Sequence, residues 1–440
     1  MKKVLIVAYY FPPSGGPGVQ RVLKYTRYLR EFGWEPIILT VKNGNFPAID
    51  ESLIKEIPEG VNVVRTEIFE PYDLYRKLTG KSKNTAIDVN TLRKDGAKIS
   101  FTERISEFIR ATFFIPDARI GWHKAAVDAG LKLIKNEGIS AIYSSSPPYT
   151  CSVIARTLKR KSGLPWIAGF RDPWTGFLTT PKRWWLPAKI DSKLEKAVFE
   201  ESDAIEVAWL GIMKDAITKY PELNKYKFHH LPNGFDSNDY PNVNESDRTD
   251  FRFTITYAGS MYGRRNPAAF FKALEKLHYR KEIDITKIRL RFIGRFGDEV
   301  LEMFKSTDIR NCIEVIGYMQ HNELTKQLLL SDALLLIVDE SDDSNEIVPG
   351  KVYEYIGSGK GVLAIAPEKS AIADLIKETN SGYVAHQSNL DGIADSFLIF
   401  YNAHQNGGSI INPKMEIINK YERRTTTGIL ADLLNIVTKK

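Results

Sequence analysis

Short, uninterrupted apolar runs alternate with longer segments of helical spacing, and the alternation starts twice, at residue 3 and again near residue 253. A run without polar–apolar alternation fits a strand covered on both faces. That restricts the chain to parallel sheets flanked by helices. In the first series KVLIVAY (3–9) is followed by the Pro/Gly loop FPPSGGPG. VQRVLKYTRYLREFG then carries Val19, Val22, Leu23, Tyr25, Tyr28 and Leu29 at helical spacing and ends at Gly33, before the strand EPIILTVK. This βαβ unit requires a right-handed crossover. Helices over 122–136, 150–161 and 188–201 and the strands ISAIYSSS, LPWIAGF and AIEVA (204–208) complete the first half.

Residues 80–100 are polar and aperiodic and read as a surface insertion or a mobile loop. The stretch 229–250, rich in Asn, Asp, Pro and Ser, reads as a linker. The second series then runs FTITYAG (253–259), a helix, IRLRFIG, IEVIG, ALLLIV, a helix from Lys351, and GVLAIA. After about residue 405 only helices are expected. The reading is therefore α/β, with two doubly wound domains: an N-terminal one over 1–230, a linker over 231–250, a second over 251–405, and terminal helices over 406–440 that cross back.

Composition excludes several functions. With 440 residues and 43% hydrophobic residues, the chain can bury a core without disulfides. Two cysteines, Cys151 and Cys312, and seven scattered histidines without an HExxH pattern argue against a disulfide scaffold and against a zinc enzyme. A net charge of +7 suits an anionic ligand or membrane surface but is too dilute for nucleic acid. The opening apolar run is short and ends in Pro12-Pro13, so it reads as a strand and not as a signal peptide. No stretch reaches the roughly 18–20 apolar residues of a membrane span. The expected location is cytoplasmic, with peripheral attachment at a membrane face as a candidate.

Five constellations carry chemistry. Ser14-Gly15-Gly16-Pro17-Gly18 joins a strand to a helix and lets an anion approach backbone N–H groups, or is only a tight turn. It is not a G-x-G-x-x-G fingerprint, and IILTVKNGN offers no acidic residue for a ribose, which disfavours a dinucleotide site. Tyr262-Gly263-Arg264-Arg265-Asn266-Pro267 occupies the matching loop of the second half. Arg suits a pyrophosphate because its planar fork binds oxygens in pairs, and Arg265 is preferred over Arg264 as the inward residue; a solvated surface pair is the plainer reading. In the third, Glu346 to Gly359, Lys351 opens a helix beside Pro349-Gly350. Glu354 lies in that helix's first turn, where it can hold ribose hydroxyls or complement the helix dipole. The fourth is Arg171-Asp172 after LPWIAGF, where Asp172 can meet a sugar hydroxyl or pair with Arg171. The fifth, Lys182-Arg183-Trp184-Trp185, with Arg156, Lys159, Arg160 and Lys161, suits a lipid–water interface or a solvated helix face. No Asp-x-Asp pair is present to hold a nucleotide diphosphate through a metal, so no metal site and no cofactor are expected.

Together, FPPSGG, PNGFD (232–236), YAGSMYGRRNP (257–267), RFIG (291–294) and VPGKVYEYIGSGKGVLAI (348–365) resemble, in order, the retaining GT-B glycosyltransferases of family four. The resemblance implies two Rossmann-like domains facing across a cleft, with the C-terminal one taking a nucleotide-sugar donor and the N-terminal one facing the acceptor. By position it implies that Gly15 and Gly16 lie near the donor diphosphate. Gly263, Arg264 and Gly294 would border the donor. Arg265 and Lys351 would neutralise the diphosphate, Glu354 would hold the ribose, and Tyr318 and Met319 would border the base. Glu346 matches the first Glu of the family's paired motif, which faces the transferred sugar. Where many members carry a His, this chain reads Tyr143-Ser144-Ser145-Ser146-Pro147-Pro148, so no His contact is implied.

The activity expected is metal-independent hexosyl transfer, with retention, from a nucleotide-diphosphate sugar to a saccharide or lipid-linked saccharide in bacterial envelope polysaccharide synthesis. The alternatives are a sugar-nucleotide 2-epimerase of the same fold and an inactive nucleotide-sugar-binding assembly subunit.

Overall fold

The computed structural model describes residues 1–46, 48–69, 108–109, 111–177, 180–248, 250–263, 265–338, 345, 348–408 and 411–439. Two compact units divide the chain: Met1–Pro232 with Thr426–Lys440, and Asn233–Thr425.

The first unit carries seven strands: β1 (Lys2–Ala8), β2 (Trp34–Val41), β3 (Asn62–Thr66), β4 (Ile139–Ser146), β5 (Trp166–Phe170), β6 (Ala204–Val207) and β7 (Phe228–His230). They pair in parallel in the order β3-β2-β1-β4-β5-β6-β7. Val4 through Val7 are fully buried, as an apolar run without alternation requires. Strand order reverses between β1 and β4, so the C-terminal ends of these strands form the switch point at which open α/β sheets bind ligands. The helix Pro17–Tyr28 leaves β1 with Gly16 as its cap at φ 93. It is tied across the sheet by Arg21, which pairs in the interior with Glu206 of β6 and donates to Leu231 O at 2.9 Å. From the C-terminal helix Arg423–Val437, Leu430, Ala431, Leu433, Leu434 and Val437 pack into this unit's core with β1 and the helix after it.

The second unit carries β8 (Phe253–Ala258), β9 (Ile288–Ile293), β10 (Ile313–Ile316), β11 (Ala333–Ile337), β12 (Gly361–Ile365) and β13 (Gly382–Ala385), all parallel in the order β10-β9-β8-β11-β12-β13. Its switch point lies between β8 and β11. Aromatic residues Phe270, Phe271, Phe292, Phe304 and Phe397 fill the core on one side, and Val352, Tyr355, Ile356 and Ile372 that on the other. The two parallel sheets with interleaved helices are the α/β architecture that the alternation demands.

Several details depart from the expected elements. The stretch expected to be a linker opens inside β7. Further on it is anchored: Phe235 and Asp236 are 4% and 3% exposed, and Phe235 pairs with the segment before the C-terminal helix, donating to Tyr421 O at 3.2 Å and accepting from Arg423 N at 2.7 Å. The helix expected over 188–201 begins earlier, at Trp185, so Trp185-Leu186-Pro187 form its first turn instead of a loop. The surface insertion expected over 80–100 lies outside the described residues.

Candidate active site

The loops after β8 and β9 meet at the second unit's switch point. Gly259 (φ 127) donates its N–H to Ile293 O at 2.8 Å, and Gly294 (φ 146) donates to Ile316 O at 3.0 Å. A Cβ on Gly294 would lie 2.0 Å from Gly259 O, so that turn admits glycine alone. Gly263 turns the chain at φ 56 and donates to Glu299 Oε1 at 2.8 Å. Arg265 follows, and the Asn266 side chain accepts from Ala268 N at 3.1 Å, setting the start of the helix Ala268–Tyr279.

Lys351 enters from the other side of the switch point, on the helix Gly350–Gly357 that begins after Pro349. Its ammonium sits 3.9 Å from the Tyr257 ring centroid and 3.4 Å from Ala258 O. Among the described residues no carboxylate lies within 4.0 Å of it. Burial pushes its pKa well below the usual lysine range, the Arg265 guanidinium adds to this, and Glu354 opposes it. Arg265 also acts on the buried Tyr257 phenol, so Tyr257, Arg265, Lys351 and Glu354 share one electrostatic neighbourhood.

Glu354 lies one turn beyond Lys351. Its Oε1 is 3.2 Å from His321 Nε2, and its backbone oxygen accepts from Tyr240 Oη at 2.6 Å. His321 opens the helix His321–Leu329. Tyr318 and Met319 follow β10 on the same edge of the sheet. Tyr318 is exposed, with Arg295 over its ring at 5.5 Å, and Met319 is partly buried.

The first unit's predicted residues lie at its own switch point. Gly15 donates to Ala48 O at 2.9 Å, and a Cβ on Gly16 would meet nothing within 4 Å. Arg171 does not ion-pair with Asp172. It donates through a side-chain nitrogen to Pro147 O, and its backbone N–H donates to Ser146 O at 2.9 Å. The Arg171 guanidinium packs over Gly18, with Nη1 2.8 Å from where a Cβ would stand. Burial raises the Asp172 pKa, while Arg171 lowers it.

Arg265, Lys351, Glu354, Gly263 and Gly294 are thus gathered at one switch point, with Tyr318 and Met319 further along the edge. Gly15, Gly16 and Asp172 are gathered at the other. Arg264 and Glu346 lie outside the described residues. Sequence reasoning missed Tyr257, Gly259 and His321. The tripeptide Tyr257-Ala258-Gly259 at a strand end carried a signal for the first two. His321 is 33 positions from its partner Glu354, and no local pattern joins them.

No family model matches the chain, and no curated protein matches it. Solved structures do. A glycosyltransferase from Rickettsia africae is 14% identical over 100% of this chain and 99% of its own, with a TM-score of 0.63. HepE from Anabaena, solved in complex with UDP-glucose, is 11% identical over 99% of this chain and 100% of its own, with a TM-score of 0.60. A putative UDP-N-acetylglucosamine 2-epimerase from Listeria monocytogenes is 12% identical over 100% of this chain and 98% of its own, with a TM-score of 0.54. These likenesses establish the GT-B type of fold, with two Rossmann-like units, and glycosyltransferases among its structural neighbours.

Proposed function

We propose that the protein is a retaining glycosyltransferase of the family-four kind, which takes its sugar from a nucleoside-diphosphate sugar. The observation that carries this is the convergence of Lys351, Arg265 and Glu354 at the switch point of the second sheet. Two cations beside one carboxylate, on a floor of glycines, match a diphosphate joined to a ribose.

Departure of the diphosphate is the demanding step, because negative charge grows on the leaving oxygens. Lys351 and Arg265 stabilise that charge from fixed positions, and such preorganised contacts are worth roughly 3–4 kcal/mol each in comparable sites. Glu354 anchors the ribose. The sugar C1–O bond to phosphate breaks and the C1–O bond to the acceptor forms on the same face. The acceptor's hydroxyl proton passes to the leaving phosphate oxygen. By the family resemblance, Gly15 and Gly16 serve the donor diphosphate and Glu346 faces the transferred hexose; Asp172 meets a sugar hydroxyl. With the diphosphate charge met by side chains, turnover proceeds without a cation or cofactor. The test is transfer from nucleotide sugars by enzyme treated with EDTA, with the anomer read by NMR. Retained configuration and undiminished turnover are expected; inversion, or strict dependence on manganese or magnesium, contradicts the proposal.

The fold shared with the putative epimerase keeps a second reading in view. Donor incubated without acceptor separates the two, because an epimerase isomerises the nucleotide sugar and a transferase does not.

The acceptor we propose is a saccharide or lipid-linked saccharide of envelope polysaccharide synthesis, met at a cytoplasmic membrane face. Supporting this, Trp185 is 72% exposed at the start of the helix Trp185–Glu201, near exposed Trp184, Leu186 and Ile190, and Lys182, Lys189 and Lys193 are exposed around them. Trp beside Lys is the composition of a lipid–water interface. No helix among the described residues is long and apolar enough to cross a membrane. Co-sedimentation with anionic vesicles, lost in W185A/K189A, is expected; equal recovery with neutral vesicles counts against it.

A further inference from the structure

Three segments far apart in sequence converge behind Glu354. Tyr240 donates its hydroxyl to Glu354 O at 2.6 Å, and Thr325, on the helix His321–Leu329, donates to Asp239 O at 3.0 Å. These bonds lock the 236–240 segment, the helix opened by His321 and the helix Gly350–Gly357 into one frame. Asp236 caps the turn Ser237–Asp239 by accepting from Asn238 N at 3.0 Å.

Within this frame the His321 imidazole is mostly buried, at 16% side-chain exposure, and stands between two carboxylates. Nε2 is 3.2 Å from Glu354 Oε1, and Nδ1 is 4.0 Å from Asp239 Oδ2. A carboxylate only accepts, so the N–H at Nε2 is the donor. Tyr240, Asp236 and Glu422 are the further titratable groups in this neighbourhood; burial raises the Tyr240 phenol's pKa, and Glu354, Asp239, Asp236 and Glu422 add to this.

A glutamate has three rotatable bonds, and ordering it on a ligand costs rotamer entropy. A hydrogen bond to the carboxylate removes part of that freedom in advance. We propose that His321 is a positioning residue that presets the Glu354 carboxylate for the ribose hydroxyls of the nucleoside diphosphate. The proposal rests on the donor reading of this site and adds to it which side chain sets the ribose grip.

Calorimetric titration tests it with three probes on the full chain: the nucleoside diphosphate that binds among UDP, GDP and ADP, its 2′-deoxy counterpart, and inorganic pyrophosphate. The wild type is expected to prefer the ribonucleotide by about tenfold, the worth of one hydrogen bond to a charged group. H321A is expected to weaken ribonucleotide binding about fivefold and to shrink the preference to about twofold. Pyrophosphate binding should stay within about twofold, because its contacts are Lys351 and Arg265. H321Q, whose amide also donates, should restore the preference. E354A should remove it, with no further loss in H321A/E354A, because the two residues act as one unit. An unchanged ribose preference in H321A, or an equal loss for all three probes, overturns the proposal while leaving the donor reading intact. Failure of the wild type to bind any nucleoside diphosphate overturns both.

Discussion

At the switch point of the first sheet, the guanidinium groups are engaged with the protein's own backbone. Arg65 donates to Pro12 O, Arg171 to Pro147 O, and Arg119 to Asn45 O at 3.3 Å. At the switch point of the second sheet, Lys351 rests on a tyrosine ring beside another cation, and among the described residues its one hydrogen bond is a long contact to a carbonyl, at 3.4 Å. The same strand–glycine–helix grammar therefore yields two different edges. In the first, charge serves the loops that it braces. In the second, charge is held under desolvation and like-charge repulsion, an arrangement that an anionic ligand relieves.

The difference can be broken first at the glycines. Gly294→Ala places a Cβ 2.0 Å from Gly259 O at a φ of 146, whereas Gly16→Ala, at φ 93, meets no atom within 4 Å. Denaturant unfolding should show about 4 kcal/mol lost in G294A and about 2 kcal/mol in G16A, since only the first adds a clash to backbone strain. Equal losses would show that the second edge is not the tighter one.

Lys351→Met comes next. Removing the cation should lower kcat/KM by roughly a hundredfold. It should not lower the melting temperature, because a desolvated ammonium leaves the interior. Arg171→Met, at the first edge, should do the reverse: it should lower the melting temperature and leave nucleoside-diphosphate affinity unchanged. Arg265→Ala should cost at least about tenfold in kcat/KM, since one charged contact is worth over about 1.4 kcal/mol. Wild-type kinetics in both second-edge variants would remove them from the site.

The smallest effect is one of pH. Lys351 has a depressed pKa without ligand, and a bound diphosphate favours its charged form, so binding takes up a proton. Affinity should fall as pH rises from the ligand-free pKa of Lys351 toward its ligand-bound value. The slope is at most about tenfold per pH unit, and it should flatten in K351M. Parallel pH profiles for the two proteins would mean that Lys351 does not titrate with the ligand.

Much of this was legible from residue patterns. KVLIVAY and FTITYAG announced buried central strands, because a strand covered on both faces needs no polar alternation. The edge strands β3, β7 and β13 were not announced. β3 is exposed to partly buried throughout, β7 is three residues long, and β13 is partly buried at three of its four positions, so each looks like loop. The Lys351–Glu354 pair was legible because both residues lie in one helical turn. The placement of Arg265 beside Lys351 followed only from the resemblance, since the two loops meet across the β8–β11 switch. Nothing local could reveal that Asp239, His321 and Glu354 converge, for their meeting is set by how three separate segments pack.

The account is tested most directly by titrating UDP, GDP and ADP into the wild-type protein and into K351M/R265A. It predicts that at least one of the three binds the wild type and that the double variant weakens that binding by at least about a hundredfold, two charged contacts of about 1.4 kcal/mol each. Equal binding to the two proteins, or no binding to either, would contradict it.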